Sequence, residues 1–158
     1  MKILGIDPGL VSMGWAFIDT EGGNIDWTSG EIRANPRDDM TLRLAFILDE
    51  LKKGIELRKP DVVAMEAGFV GGWNRGTIGT AYARGIVLCA AGVAKVMLYE
   101  YANNSIKKQL TGHGRSTKDQ LAHAVKTFLG DPGLTLKEDQ ADALAVALHC
   151  YRVREMML

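Results

Sequence analysis

Cysteine is scarce in this 158-residue chain: there are two, Cys89 and Cys150, and no Cys or His cluster at zinc-ligand spacing. That argues against a disulfide-stapled scaffold and against a structural zinc site. Both cysteines fall in apolar helical patterns, so two buried free thiols are expected, as suits a reducing compartment. Net charge is missing as well, because 19 basic residues offset 19 acidic ones. No global field argues for nucleic acid, and any such argument must rest on local patches. Long apolar runs are also lacking. The start, Met1 to Asp7, has four apolar residues interrupted by glycine and then an acid, which is no signal peptide. The most apolar later segment, Ile86 to Val96, is too short and too rich in small residues to span a membrane. A soluble cytoplasmic protein with no membrane partner is the expectation.

What is present is ordinary for a globular protein, with 47% hydrophobic and 24% charged residues. A chain of this length can bury roughly 70% of its unfolded surface, enough for a single domain over residues 1–158. Residues 2–6 read as a buried strand, 14–19 as a second with alternating Trp15 and Phe17, and 25–32 as a third after the Gly22-Gly23-Asn24 turn. Such a hairpin meander predicts a mixed sheet. A helix over 39–57, capped by Asp38 or Asp39, carries Leu42, Ala45, Phe46, Leu48, Leu51 and Ile55. A buried strand, 61–66, follows Pro60. A helix over 77–92 uses Gly79, Ala83 and Ala90 for close packing, and a strand covers 95–99. Three more helices follow: one carrying Lys107 and Lys108, one capped by Ser116 with Asp119, and a last one from a Thr135 cap to Arg154.

Four carboxylates stand out. Asp7 follows Ile3-Leu4-Gly5-Ile6, and Glu66 follows Val62-Val63-Ala64-Met65, so each acid ends a buried strand and is partly desolvated. An acid so placed must be hydrogen-bonded, paired or bound to metal. Asp139 and Asp142 lie three apart near a helix start, on one face and at the favourable end of the helix dipole. Ala141, Ala143, Leu144, Val146 and Leu148 surround them, which packs this end on the sheet. Oxygen-only ligands favour Mg²⁺, with Mn²⁺ as a substitute. Two such ions about 4 Å apart can activate a water and stabilise a leaving oxygen in one in-line displacement. That chemistry points to phosphodiester hydrolysis.

A local basic patch accompanies the acids. From Asn103 to Lys118 the chain holds Lys107, Lys108, His113, Arg115 and Lys118 without an acidic residue. The glycine-rich segment after Glu66 carries Phe69, Trp73 and Arg75. In that setting aromatics can stack on bases regardless of identity, and Arg75 can meet phosphate. A solvated basic face and a loop plugging the core are the structural alternatives. His123 and His149 read as helix-surface or packing residues.

At this point the residues resemble a known family. Gly5-Ile6-Asp7-Pro8-Gly9, followed by Gly14, resembles the opening of the RuvC family of Holliday-junction resolvases, within the RNase H-like superfamily. Met65-Glu66-Ala67-Gly68-Phe69 resembles its second acidic motif, and Arg84-Gly85 a segment of its next helix. Lys107-Lys108-Gln109-Leu110-Thr111-Gly112-His113-Gly114, with Lys118 and Gln120, resembles its basic segment. Asp139-Gln140-Ala141-Asp142-Ala143-Leu144-Ala145 resembles its closing motif. The resemblance implies an α/β protein with an RNase H-like fold, a five-stranded mixed sheet flanked by helices, assembled as a homodimer with two active sites. It implies paired symmetric nicks in four-way DNA junctions that leave 5′-phosphate ends. Asp7, Glu66, Asp139 and Asp142 would be the catalytic, metal-binding carboxylates. Lys107 and Lys118 match positions expected to meet phosphate, and Phe69 matches an aromatic expected to stack at the branch point. The helix carrying Gly79, Ala83, Ile86, Val87 and Ala90 is the candidate for a close helix–helix or subunit contact, with simple core packing as the alternative. Branch-migration machinery is a partner the sequence does not indicate.

Two features depart from the family's pattern: the chain is neutral rather than basic, and its loop Gly71-Gly72-Trp73-Asn74-Arg75-Gly76 is richer in glycine and aromatic character. Both would suit a divergent bacteriophage or mobile-element member. Three rivals share parts of the signal. The same acids would serve a nuclease for flaps, forks or RNA-containing substrates. Asp-x-Gly near a strand end also occurs in ATP-using relatives of sugar kinases and Hsp70 chaperones, although this chain lacks their second domain. A non-catalytic branched-DNA binding protein is the third.

Overall fold

The computed structural model describes residues 1–68 and 75–157, apart from the side chain of Arg75. Five strands, β1 (Lys2–Asp7), β2 (Ser12–Asp19), β3 (Asp26–Arg33), β4 (Val62–Glu66) and β5 (Met97–Tyr101), form one sheet in the order β3-β2-β1-β4-β5. The first three strands are antiparallel neighbours, while β4 lies parallel to both β1 and β5. The mixed sheet expected from the N-terminal meander is therefore present. Among the described residues five helices accompany it: α1 (Met40–Arg58), α2 (Arg75–Ala94), α3 (Asn103–Thr111), α4 (Lys118–Phe128) and α5 (Glu138–Glu155).

Alternation along the strands divides the core in two. Ile3, Ala16, Ile18, Val62 and Ala64 pack against α3, α4 and α5 on one face. Leu4, Ile6, Met13, Val63 and Met65 pack against α1 and α2 on the other. Because side chains alternate with period two, this parity also assigns the polar positions. Gly5 and Asp7 of β1, Gly14 of β2, Glu31 of β3 and Glu66 of β4 all belong to the α5 face.

The docking of α5 depends on missing side chains. A Cβ on Gly5 would fall onto the carbonyl of Ala143 and within 2.8 Å of the Ala147 Cβ. One on Gly14 would fall onto the carbonyl of Asp139 and 2.9 Å from its Cβ. The helix backbone thus rests on β1 and β2, and every residue from Ala143 to Cys150 is buried.

Several local expectations are corrected. The cap of α4 is Thr117, whose Oγ1 accepts from the Gln120 amide at 3.2 Å while Gln120 returns a bond to the Thr117 amide. Ser116 is instead buried, its hydroxyl donating to the His113 carbonyl at 2.6 Å. Helix α5 begins after Lys137 rather than at a Thr135 cap, with the Lys137 amide donating to Gln140 Oε1 at 3.0 Å. Asp39 holds the N-cap position of α1 without making a side-chain bond. In that helix Ile47, Leu51 and Ile55 form the buried stripe, while Leu42 and Phe46 face solvent. Lys95, with φ of 56°, closes α2 and delays β5 by two residues. Cys150 is buried as expected but Cys89 is exposed, because Ala83, Val87, Ala90 and Ala91 take the inward side of α2. The stripe of small residues offered as a subunit contact is therefore largely core. Over Gly76–Ala94, α2 is long and apolar enough, at a mean hydropathy of 1.4, to cross a membrane by length and composition. That stretch is longer than the Ile86–Val96 segment apparent in the sequence.

Gly5→Ala is expected to lower the unfolding free energy by about 1–3 kcal/mol, because the added methyl meets helix backbone that cannot yield. Gly54→Ala, at a mid-helix position of α1 where the nearest group is the Arg58 guanidinium at 4.0 Å, should raise it by about 0.5–1 kcal/mol. Urea denaturation of both variants checks the pair, and equal destabilisation would contradict the packing described.

Candidate active site

The register sets the first two acids side by side. Ile6 pairs with Met65 in the parallel β1–β4 ladder, so Asp7 and Glu66 leave the sheet at the same level on the same face. Across β1 and β2, Asp7 pairs with Gly14, and the space left by that glycine admits the backbone of Asp139. Asp142 follows one turn later on α5. Three separate elements therefore deliver four half-buried carboxylates to one end of the sheet.

Their mutual field is visible in Asp7. Burial, reinforced by Asp142, Asp139 and Glu66 in that order, pushes its carboxyl up to about 7 from an ordinary 3.8, and Lys118 opposes the rise. Burial raises Asp142 too, against the pull of Lys118. Lys118 forms an ion pair with Glu138 and lies 3.8 Å from Asp142 Oδ2. Glu138, followed by Asp142 and Asp7, holds its ammonium in the charged form. One lysine among these acids leaves a local surplus of negative charge.

That surplus and the oxygen-only donor set suit a hard divalent cation. Among the described residues, no three Asp, Glu, His or Cys side chains already close into a coordination cage. The fit is one of charge, donor type and convergence, with final side-chain closure left to the ion.

The other expected contacts fall into two groups. Lys118, expected to meet DNA phosphate, sits with the acids. Lys107 is half-buried on α3 and Lys108 exposed beside it, while His113 and Arg115 are exposed in the α3–α4 connection. Phe69, Trp73 and the side chain of Arg75 lie outside the described residues. His149 is buried and meets the Tyr101 ring edge-on at 4.7 Å, so it packs rather than reacts. His123 is exposed on α4.

Sequence reasoning missed three neighbours of the site. Arg84 of α2 donates to the Glu66 carbonyl and pairs with Glu100 of β5. Glu31 and Lys137 pair at 2.6 Å, linking β3 to the start of α5. Arg84 had no assigned role beyond its place in a motif. For Glu31 the available signal was an acid at an inward position of a strand.

Residues 3–150 match the family described as crossover junction endodeoxyribonuclease RuvC. A protein of that description from Rickettsia rickettsii (strain Sheila Smith) is 39% identical over 151 residues, covering 95% of this chain and 96% of the relative. Another from Rickettsia felis is 36% identical over 155 residues, covering 98% and 99%. Thermus thermophilus RuvC superposes with a TM-score of 0.88 at 29% identity, covering 99% of this chain and 97% of that one. The T. thermophilus protein in complex with a Holliday junction substrate gives 0.87 at 26% identity, covering 99% and 96%.

A raised carboxyl has a defined sign in folding. Unfolded, Asp7 releases its proton near its ordinary value; folded, it retains the proton up to about pH 7. Between those limits the folded state binds more protons, so metal-free stability should fall as pH rises from about 4 to 7. Asp7→Asn cannot ionise and should flatten that slope, making the variant the more stable protein at about pH 8. Denaturation in EDTA at both ends of the window checks this; a wild-type slope no steeper than that of Asp7→Asn would contradict it.

Proposed function

The chain belongs to the crossover junction endodeoxyribonuclease RuvC family, a metal-dependent nuclease family, and from that premise we propose how its own residues resolve a four-way DNA junction. The observation that carries the reading is the meeting of Asp7, Glu66, Asp139 and Asp142 on one face of the sheet, around an Asp7 carboxyl raised by burial and then by the other three. These four would hold Mg²⁺ or Mn²⁺, two ions per site, within one nuclease domain over residues 1–158. Bound there, the ions would activate a water and stabilise the leaving oxygen, leaving 5′-phosphate ends.

The protein's own part is placement. Strand ends hold Asp7 and Glu66 at one level, and the glycine-backed docking of α5 brings the second acidic pair to them. Partial burial reduces competition from water and strengthens every charge interaction in the site. Lys118 is 64% exposed at its side chain and already among the acids. It can exchange Glu138 for a phosphate oxygen, bringing positive charge to the strand being cut. Lys107, Lys108, His113 and Arg115 extend this positive character away from the acids, along a path for the DNA backbone. Position after Glu66 makes Phe69, with Trp73 and Arg75, the proposed contacts at the branch point.

We assign the active form to a homodimer, since a twofold assembly presents two equivalent sites to a nearly symmetric substrate and accounts for paired nicks. The outward side of α2 supplies the contact, where Tyr82, Leu88 and Val93 are 48%, 48% and 67% exposed. These apolar side chains would be covered by the second subunit. The cytoplasm, where chromosomal DNA is found, is the proposed compartment.

A mobile four-way junction incubated with the protein and Mg²⁺ should receive symmetric paired nicks, with matched duplex, flap and fork cut far less. Asp7→Asn should still bind the junction but lose nicking by at least about a hundredfold, as loss of charge stabilisation at a reacting phosphate implies. Calcium should support binding with little cleavage. Preferential cutting of flap or fork would replace the substrate in this reading, and tight binding without cleavage in either Mg²⁺ or Mn²⁺ would replace the activity. Lys108→Ala should reduce the salt dependence of junction binding by about one unit of slope with single-turnover cleavage retained. Lys118→Ala should slow single-turnover cleavage as well.

A further inference from the structure

One acid on the α5 face stands outside the tetrad. Glu31 faces Gly14 across the β2–β3 ladder, and Gly14 faces Asp7 across β1–β2. Asp7, Gly14 and Glu31 therefore form a row, and the backbone of Asp139 enters over its empty middle position. The Glu31 side chain is only 7% exposed. Its Oε2 accepts from Lys137 Nζ at 2.6 Å and from Arg33 Nη2 and Nε at 2.9 and 3.1 Å. Its Oε1 accepts from the Ser12 hydroxyl at 3.4 Å.

We infer that Glu31 is a positioning residue for the acidic tetrad, acting through Lys137 to hold the first turn of α5, and with it Asp139 and Asp142, against β1. With its side chain covered this far, the Glu31 carboxylate needs its partners, whereas Lys137, 61% exposed, could be solvated by water. The restraint thus runs from the rigid sheet to the helix end. Lys137 is held twice, since its amide also donates to Gln140 Oε1 within the first turn. The need for a restraint is electrostatic. Asp139 enters beside Asp7, and the tetrad's mutual repulsion favours fraying or outward displacement of the terminal turn. The Glu31–Lys137 pair opposes that displacement across 106 residues of sequence. Arg33 uses the same carboxylate oxygen, but its bond stays within β3 and restrains no helix.

The inference rests on the tetrad's role as a cation site, and two measurements separate the ideas. Mn²⁺ affinity, read by electron paramagnetic resonance, should weaken about tenfold in Glu31→Gln and in Lys137→Met, as loss of groups that orient metal ligands does. Lys137→Arg, which keeps the charge, should stay near wild type, and Arg33→Met should have the smaller effect. Junction kcat should fall in parallel with Mn²⁺ affinity while KM holds, which loss of global stability alone would not produce. Amide exchange at Ala141 and Asp142 in metal-free protein should quicken about tenfold in Lys137→Met but not in Lys137→Arg. Unchanged protection would overturn the restraint, as would equal losses in Arg33→Met and Lys137→Met. Failure of the wild-type protein to bind Mn²⁺ would overturn the cation site instead, with amide exchange still deciding the role of Glu31.

Discussion

Everything at the site depends on how closely α5 lies on the sheet. Two positions without side chains, Gly5 and Gly14, let helix backbone contact strand backbone. An extra methyl at either position would fall onto helix backbone and force the helix away from the sheet. The same contact buries Ala143 to Cys150 and moves Asp139 and Asp142 in beside Asp7. Core packing and the gathering of the acids are therefore one event. The apolar contacts of the helix supply the favourable free energy, and the repulsion among carboxylates is held in place by it.

The electrostatics are arranged around that repulsion. Neutrality over the whole chain hides a strongly uneven distribution, with four acids at one end of the sheet and a basic segment along α3 and the turn after it. Lys118 is the element that belongs to both, paired with Glu138 and Asp142 while continuous in sequence with the basic run. Its placement makes it a balancing charge in the free protein and, in the function proposed above, the contact to phosphate. Farther out, Arg84 fixes the carbonyl of Glu66 and Lys137 ties α5 to Glu31. Strand ends and helix ends are the softest parts of their elements, and here the end of β4 and the start of α5 each have a charged side chain bound to them.

Most of the architecture was legible because β1 and β4 are apolar on both faces and end in an acid, a pattern that leaves few alternatives to a buried central strand. The first acids, the helix pair and the hairpin meander followed from such patterns. Local chemistry was less legible. Ser116 and Thr117 are adjacent hydroxyls, and either could cap a helix; burial of Ser116 against Thr111 and His113 decided it. Leu42 and Phe46 read as part of an inward stripe until the register of α1 was set by Ile47, Leu51 and Ile55 meeting the sheet. Cys89 looked buried because α2 is apolar nearly all round, and only packing reveals which side turns inward.

The sequence by itself determined the identities and order of the elements and the positions of the four acids along them, since strand alternation, helical spacing and family motifs are local properties. Only the tertiary structure decided which distant residues stand between those acids. Lys118 among the carboxylates, Asp139 over Gly14, Arg84 on the Glu66 carbonyl and Lys137 on Glu31 are contacts between elements far apart in sequence, 18 residues for Arg84 and 106 for Lys137. Local periodicity carries no record of such pairs, because strand register and the height of α5 above the sheet are set by the packing of the whole core.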